Sequence, residues 1–167
     1  MTLIKKEWIA EKKNYKRKGL RLVYDPQKEV GKQIISAFSK NDLITLCAPP
    51  QWGKTGVSLF VSYMMSKKKG INPNNVFFIT AMSDRSWLQQ TKERVLPMWR
   101  ENVFHRNTLH HLEDRVDRLK RNGGDKDILI IIDECHIANR RDFTLGKIIE
   151  SLNLKKQGEL RKKNIKI

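Results

Sequence analysis

Apolar residues along this chain fall into two patterns. Short continuous apolar runs predict buried strands, and they lie at 43–47, at 76–80 and at 128–132, where five aliphatic residues precede Asp133. A shorter strand is predicted within 102–107. The run at 128–132 is the most apolar of the chain, which favours a central strand of a parallel sheet.

Between these runs, apolar residues recur three and four positions apart, which predicts helices. The predicted helices cover 27–39, 55–69, 84–96 up to Pro97, 108–122 before Gly123-Gly124, and 143–154. Strands that alternate with helices from residue 43 onwards predict an α/β fold, with a parallel sheet covered by helices on both faces.

Charge points to a polyanionic partner. The chain has 167 residues, enough for one domain, and a formal net charge of +16. Nucleic acid is the partner class that this charge favours. A membrane surface is the weaker interpretation, because the positive charge is not gathered on one amphipathic helix.

The N-terminal segment 1–23 is rich in Lys and Arg, with Trp8 and Tyr15 between them. One interpretation is a basic arm that contacts phosphates and stacks on bases. The other is a solvated helix whose two aromatic side chains pack on the domain. The domain itself is predicted to span 24–167.

Cysteine content and apolar runs bear on the compartment. Cys47 and Cys135 are far apart and neither lies in a Cys-x-x-Cys pair, so a reduced intracellular setting, cytoplasmic or nuclear, is expected. The N-terminus lacks the apolar region of a secretory signal. No apolar run approaches the ~20 residues of a membrane span, so no membrane partner is expected. The Lys-, Asn- and Ile-rich composition also allows a viral source.

A phosphate-binding loop is the first candidate site. Gly53-Lys54-Thr55 stands between a predicted strand and a predicted helix, the context in which this motif has a physical meaning. The N–H groups at a helix N-terminus bind phosphate, the lysine reaches the β- and γ-phosphates, and the threonine hydroxyl ligates Mg²⁺. Ala48 occupies the position where the general motif has its first glycine.

A second motif follows the strand at 128–132. Asp133 at the strand end can hold Mg²⁺, and Glu134 can orient and polarise an attacking water. Together with the loop, these residues indicate Mg²⁺-dependent phosphoryl transfer from ATP.

The segments Ala48-Pro49-Pro50-Gln51-Trp52-Gly53-Lys54-Thr55 and Asp133-Glu134-Cys135-His136 resemble the two core motifs of superfamily 2 helicases and translocases of the DEAH-like type. The resemblance extends from about residue 24 to the end. It implies a first RecA-like domain that binds ATP and Mg²⁺ through Thr55 and Asp133. It also implies that residues 48–56, ending at Gly56, surround the nucleotide, and that His136 couples nucleotide state to a second motor domain.

The resemblance implies further contacts. Gln27 is the candidate reader of the adenine edge, and Thr80, Ser83 and Arg85 are candidates for contact with the nucleic-acid backbone. The polymer is expected to be DNA rather than RNA.

Members of this family also carry a Ser-Ala-Thr-like motif and a second RecA-like domain with arginine fingers, and neither is present here. Residues 164–167, "NIKI", resemble the beginning of the next strand. The isolated chain is therefore expected to be weakly active or inactive as an ATP hydrolase.

Two alternatives stay open. The first is a non-catalytic basic nucleic-acid-binding module in which the phosphate loop is vestigial. The second is another P-loop enzyme, such as a small-molecule kinase, although that class usually lacks an Asp-Glu-x-His motif and has a lid with arginines. Arg140 and Arg141 directly follow the motif, a position that favours surface residues.

Overall fold

The sheet at the centre of the structure is four-stranded and entirely parallel, with strand order β2-β1-β3-β4. The computed structural model describes residues 2–49, 51–80, 85–121, 127–133, 146, 150, 159–162 and 164–167. The strands are β1 (Val76–Thr80), β2 (Val103–His105), β3 (Ile128–Asp133) and β4 (Ile165–Lys166). The predicted α/β class with a parallel sheet is confirmed.

Helices pack on both faces of this sheet. They are α1 (Leu3–Arg17), α2 (Asp25–Ala37), α3 (Lys54–Lys68), α4 (Arg85–Arg94), α5 (Leu109–Arg121) and α6 (Glu159–Lys162). Single turns of 3₁₀ helix lie at Pro73–Asn75 and Arg106–Thr108, and a longer one lies at Pro97–Asn102. Pro97 ends α4 as predicted, since proline lacks the N–H that a helix interior needs.

The core is divided by the sheet because successive strand side chains point to opposite faces. Val76 and Phe78 of β1 pack in the cluster that holds α1, α2 and α3, whereas Phe77 and Ile79 pack in the cluster that holds α5. The helix α3 is apolar almost all round, as its sequence predicts, and eight of its 15 residues are buried.

The basic N-terminal segment forms a helix that packs on the rest of the chain. Ile4 and Trp8 of α1 are buried, and the Trp8 ring stacks on Tyr63 of α3 with centroids 4.2 Å apart. The carboxylate of Glu7 accepts a hydrogen bond from the backbone N–H of Met98 at 3.0 Å. Of the two interpretations of residues 1–23, the structure shows the packed helix with aromatic anchors.

The predicted buried strand at 43–47 is wrong. The segment forms no strand, and its side chains alternate between exposed and half-buried. Its start is held by Ile167, whose N–H donates to Asp42 O at 2.8 Å and whose carbonyl accepts from Ile44 N at 2.9 Å. The apolar run misled because only every second side chain of the segment is partly covered, and residues 43–48 line a cavity.

Of the predicted helix at 143–154, the structure describes only 146 and 150, both of which are helical. The glycines predicted to close α5 lie outside the described residues. The predicted strand at 164–167 is confirmed as β4, parallel to β3.

Candidate functional site

The N-terminus of α3 carries the candidate phosphate loop. Gly53 precedes the helix in a left-handed conformation, with φ +89°, a region that glycine enters without steric cost. Its carbonyl accepts a hydrogen bond from Gly56 N at 2.9 Å. Lys54 and Thr55 begin the helix, are half-buried, and have no acidic residue in the first turn. The first turn therefore presents backbone N–H groups and the positive end of the helix dipole, with no acidic side chain of its own.

The residues before Gly53 form an exposed turn. Trp52 N lies 3.4 Å from Pro49 O, and Gln51 adopts a positive φ of 58°. Ala48 is half-buried, whereas the Trp52 side chain is 38% exposed and does not join the core. Pro50 lies outside the described residues. The loop thus leads into α3 from the surface of the domain.

Gln27 connects α2 to this loop. Its side chain is buried, with Oε1 accepting from Tyr24 N at 2.8 Å and Nε2 donating to Gly53 O at 3.1 Å. A Cβ at Gly53 would meet Gln27 Nε2 at 2.1 Å, and one at Gly56 would meet Oε1 at 2.3 Å. The two glycines therefore leave the space that the Gln27 amide occupies.

Asp133 lies where β3 ends, next to the start of α3. It lines a cavity of about 500 Å³ together with Lys54. It also lines a second, smaller cleft together with Thr55 and Ser58. The predicted lysine, threonine and aspartate are thus brought to one edge of the sheet, as expected where parallel strands end beside a helix N-terminus.

Sequence reasoning missed three neighbours of this site. Ser58 donates its hydroxyl to Lys54 O at 3.1 Å, one turn along α3. Thr91 and Arg94 of α4 line the smaller cleft with Thr55 and Asp133. Thr91 and Arg94 are three residues apart and therefore lie on one face of a helix. This spacing is the feature of the sequence that could have identified them. That this face meets the carboxyl edge of β3 is a tertiary relationship, which the spacing does not encode.

The carboxyl ends of three strands meet in register. Thr80 of β1 pairs with Asp133 of β3 on one side and with His105 of β2 on the other. The Thr80 side chain is buried, at 3% exposure, whereas Arg85 at the start of α4 is exposed. Of the two, Arg85 is the one on the surface. Ser83 lies outside the described residues, as do Glu134 and His136.

Two carboxyl groups away from the loop have lowered pKa values. A hydrogen bond from Lys28, and then its charge, lower the pKa of the exposed Asp25 at the start of α2. A hydrogen bond from Lys166 lowers the pKa of Asp42, and the charges of Lys166 and Arg161 act in the same direction against desolvation. Arg161 Nε lies 3.2 Å from Asp42 Oδ2. Asp42 therefore connects β4 and α6 to the segment that leads into the loop.

In the described part of the chain, no group of three or more His, Cys, Asp or Glu side chains is arranged to hold a metal ion. A site with one carboxylate and one hydroxyl is the kind that Mg²⁺ uses when substrate phosphates and water complete its coordination. Thr55 and Asp133 fit that donor set.

Across the described ranges, no helix has the length and apolar character needed to cross a membrane.

Comparisons with protein-family models, with curated proteins and with solved structures found no match to this chain.

Proposed function

We propose that this chain is the ATP-binding, first RecA-like domain of a nucleic-acid-dependent ATPase of the helicase or translocase type. One observation carries the proposal: Asp133 lines one cavity with Lys54 and an adjoining cleft with Thr55, beside a helix that begins after a left-handed glycine. These are the parts that phosphoryl transfer needs in a P-loop enzyme.

The residues present suit Mg²⁺–ATP. The first turn of α3 offers backbone N–H groups to phosphate oxygens, and the Lys54 ammonium supplies a positive charge at the same end. The Thr55 hydroxyl and the Asp133 carboxylate would hold Mg²⁺, which neutralises phosphate charge when bound. In this proposal Glu134 orients the attacking water and His136 relays the nucleotide state, roles that rest on the sequence motif.

Gln27 fits the role of adenine reader in this proposal. The side-chain amide offers two N–H donors and two acceptor lone pairs. Tyr24 N uses one lone pair and Gly53 O uses one donor, so one donor and one acceptor of this buried amide have no partner among the described residues. The same side chain would then contact both the base and the phosphate loop.

The nucleic-acid part of the proposal rests on charge. The basic residues between 5 and 21 are all exposed, and the formal net charge is +16. Such a surface attracts the phosphate backbone regardless of sequence, and Arg85 adds an exposed cation near the carboxyl edge of the sheet. DNA is the proposed polymer. Efficient hydrolysis is proposed to need a second RecA-like domain, since arginines supplied from outside the loop stabilise the transition state.

Calorimetry with Mg²⁺ and a slowly hydrolysed ATP analogue tests the proposal. Lys54→Ala should weaken binding about 10- to 100-fold, since a hydrogen bond to a charged group contributes about 1.5–3 kcal/mol. The matched control is Lys68→Ala, at the exposed far end of the same helix, which should change affinity less than about twofold. Equal affinity of the wild type and Lys54→Ala would reject the phosphate-loop role.

The exposed basic residues between 5 and 21 also favour a second candidate function, a non-catalytic nucleic-acid-binding module. It predicts binding to DNA that falls steeply with salt and that is indifferent both to ATP and to Lys54→Ala. Fluorescence anisotropy with a labelled oligonucleotide, with and without the ATP analogue, separates the two candidates. Coupling between nucleotide and DNA affinity supports the ATPase domain, and its absence supports the basic module.

A further inference from the structure

The cations of α1 lie on one side of the helix, away from the domain. They are Lys5, Lys6, Lys12, Lys13, Lys16 and Arg17, and all of them are exposed. At about 100° per residue, they fall within an arc of about 140° of the helix circumference. The other side of the helix carries the buried Ile4 and Trp8 and the half-buried Tyr15. The arc of cations is called here the basic face of α1.

Both acidic residues of α1 lie outside the basic face. Glu7 is half-buried, and its carboxylate accepts a hydrogen bond from Met98 N. Glu11 is half-buried and accepts a hydrogen bond from Asn14 Nδ2 at 3.2 Å. The exposed cations of α1 form no ion pair with any residue that the structure describes. The charge of the basic face is therefore not neutralised by that part of the chain.

This arrangement works against the stability of the helix itself. Lys12 and Lys16 are four residues apart, as are Lys13 and Arg17, and like charges at this spacing destabilise a helix. The stack of Trp8 on Tyr63 and the bond from Glu7 hold α1 in place despite this repulsion. An anion bound from outside would relieve the repulsion, so the basic face is suited to a polyanion.

The basic face lies apart from the phosphate loop. The residue on which Trp8 stacks, Tyr63, is nine residues beyond Lys54 in α3, which is about 14 Å along the helix axis. Lys67, one turn further along α3, places its Nζ 5.6 Å from the centre of the Tyr63 ring and adds a cation beside α1. A ligand on the basic face can therefore be tested separately from the nucleotide.

The aromatic side chains of α1 indicate which form of nucleic acid fits. Single strands are held largely by aromatic rings that stack on the bases. Trp8 is buried against Tyr63, and Tyr15 packs on the core, so the basic face offers cations without a stacking ring. Duplex DNA presents about one negative charge per 1.7 Å of its axis. The basic face runs for about 18 Å along α1 and matches such a backbone.

We propose that the basic face of α1 binds the sugar-phosphate backbone of duplex DNA without reading its sequence. The inference rests on the nucleic-acid part of the proposed function, and it adds the surface and the form of the polymer. An anionic membrane fits this face less well, because a helix that binds a membrane surface buries its apolar side in the lipid. The apolar side of α1 is packed on the domain instead.

Fluorescence anisotropy of the full chain with a labelled duplex, between about 50 and about 200 mM salt, tests the proposal. Lys6→Gln/Lys13→Gln removes two charges from the part of the basic face that points away from the domain. It should lower the slope of log affinity against log salt by about 2, and it should weaken binding about tenfold or more. Arg118→Gln/Arg121→Gln is the matched control, with two exposed cations of α5, which packs on the opposite face of the sheet. It should change affinity less than about threefold.

The outcomes separate this inference from the proposed function. Wild-type duplex affinity in Lys6→Gln/Lys13→Gln, or an equal loss in both double variants, would overturn the role of the basic face and leave nucleotide binding untouched. Calorimetry should give Lys6→Gln/Lys13→Gln the wild-type affinity for the ATP analogue, unlike Lys54→Ala. Binding to phosphatidylserine vesicles that is lost in Lys6→Gln/Lys13→Gln, with duplex binding unchanged, would overturn the proposal in favour of a membrane surface.

Discussion

The side-chain amide of Gln27 donates a hydrogen bond to the carbonyl oxygen of Gly53 at 3.1 Å, across 26 residues of sequence. The other end of the same amide accepts from Tyr24 N, which fixes the start of α2. The entry of α2 and the phosphate loop are therefore held by one buried side chain. A change at Gln27 should affect both.

Gln27→Ala should lower the free energy of unfolding by about 1–3 kcal/mol, because Tyr24 N and Gly53 O lose a partner in a part-buried setting. Urea unfolding followed by circular dichroism measures this. The control is Gln89→Ala in α4, whose exposed side chain donates a hydrogen bond to Glu93. That control should stay within about 0.5 kcal/mol of the wild type, and an equal loss in both variants would contradict the connecting role of Gln27.

Gly53→Ala should destabilise the chain for two reasons. A residue with a Cβ pays about 1–2 kcal/mol in the left-handed region, and the new methyl group would lie 2.1 Å from Gln27 Nε2. Gly70→Ala is the matched control, since Gly70 has a φ of +76° but no atom within 4 Å of its Cβ position. The difference between the losses of unfolding free energy in the two variants measures the clash with Gln27. Equal losses would contradict such a clash.

Much of this fold is predictable from local pattern. β1 and β3 were predicted because runs such as Ile128–Ile132 need a buried site on both faces of a sheet. The segment at 43–47 carries a similar pattern, but its side chains are alternately exposed and half-buried, and a local run holds no information on which elements will cover it. The apolar run therefore predicted a buried strand where the structure has none.

The candidate site was also predictable from the sequence only in part. Lys54, Thr55 and Asp133 were predicted to meet, because strand ends and helix starts share one edge of a parallel sheet. The contact between Gln27 and Gly53 depends on how α2 packs against α3. The position of Arg94 in the cleft with Asp133 depends on how α4 packs beside the sheet. Both are tertiary relationships between separate elements, which periodicity within one element does not encode.

Trp8→Ala should lower the free energy of unfolding by about 3–5 kcal/mol, since it removes a large buried ring and leaves a cavity. The ring stacks on Tyr63 with an interplanar angle of 11°. Trp87→Ala removes a ring that is 36% exposed and should cost much less. Urea unfolding of both variants measures the two losses of unfolding free energy. If Trp8→Ala unfolds at the wild-type midpoint, the basic N-terminal segment is not anchored on the domain.

Stability should also depend on acid through Asp42. Hydrogen bonding from Lys166 lowers the Asp42 pKa below 3.8 in the folded state, so the folded protein binds this proton more weakly than the unfolded chain does. The resulting stabilisation is present in full above the unfolded pKa, and it is lost as the pH falls from 3.8 through the lower folded value. Asp42→Asn should be less stable than the wild type at neutral pH by about 1 kcal/mol or less.

Urea unfolding of the wild type and Asp42→Asn between about pH 7 and about pH 2.5 checks both statements. The gap between the two proteins should be constant in the upper range and should narrow below pH 3.8, because the protonated carboxyl no longer attracts Lys166 and Arg161. Asp25→Asn is the control, since the Asp25 pKa is also lowered but its side chain is 69% exposed, and it should give a smaller gap. A gap for Asp42→Asn that persists unchanged into acid would mean that the asparagine disturbs packing, and that the ion pair does not hold β4 against the segment.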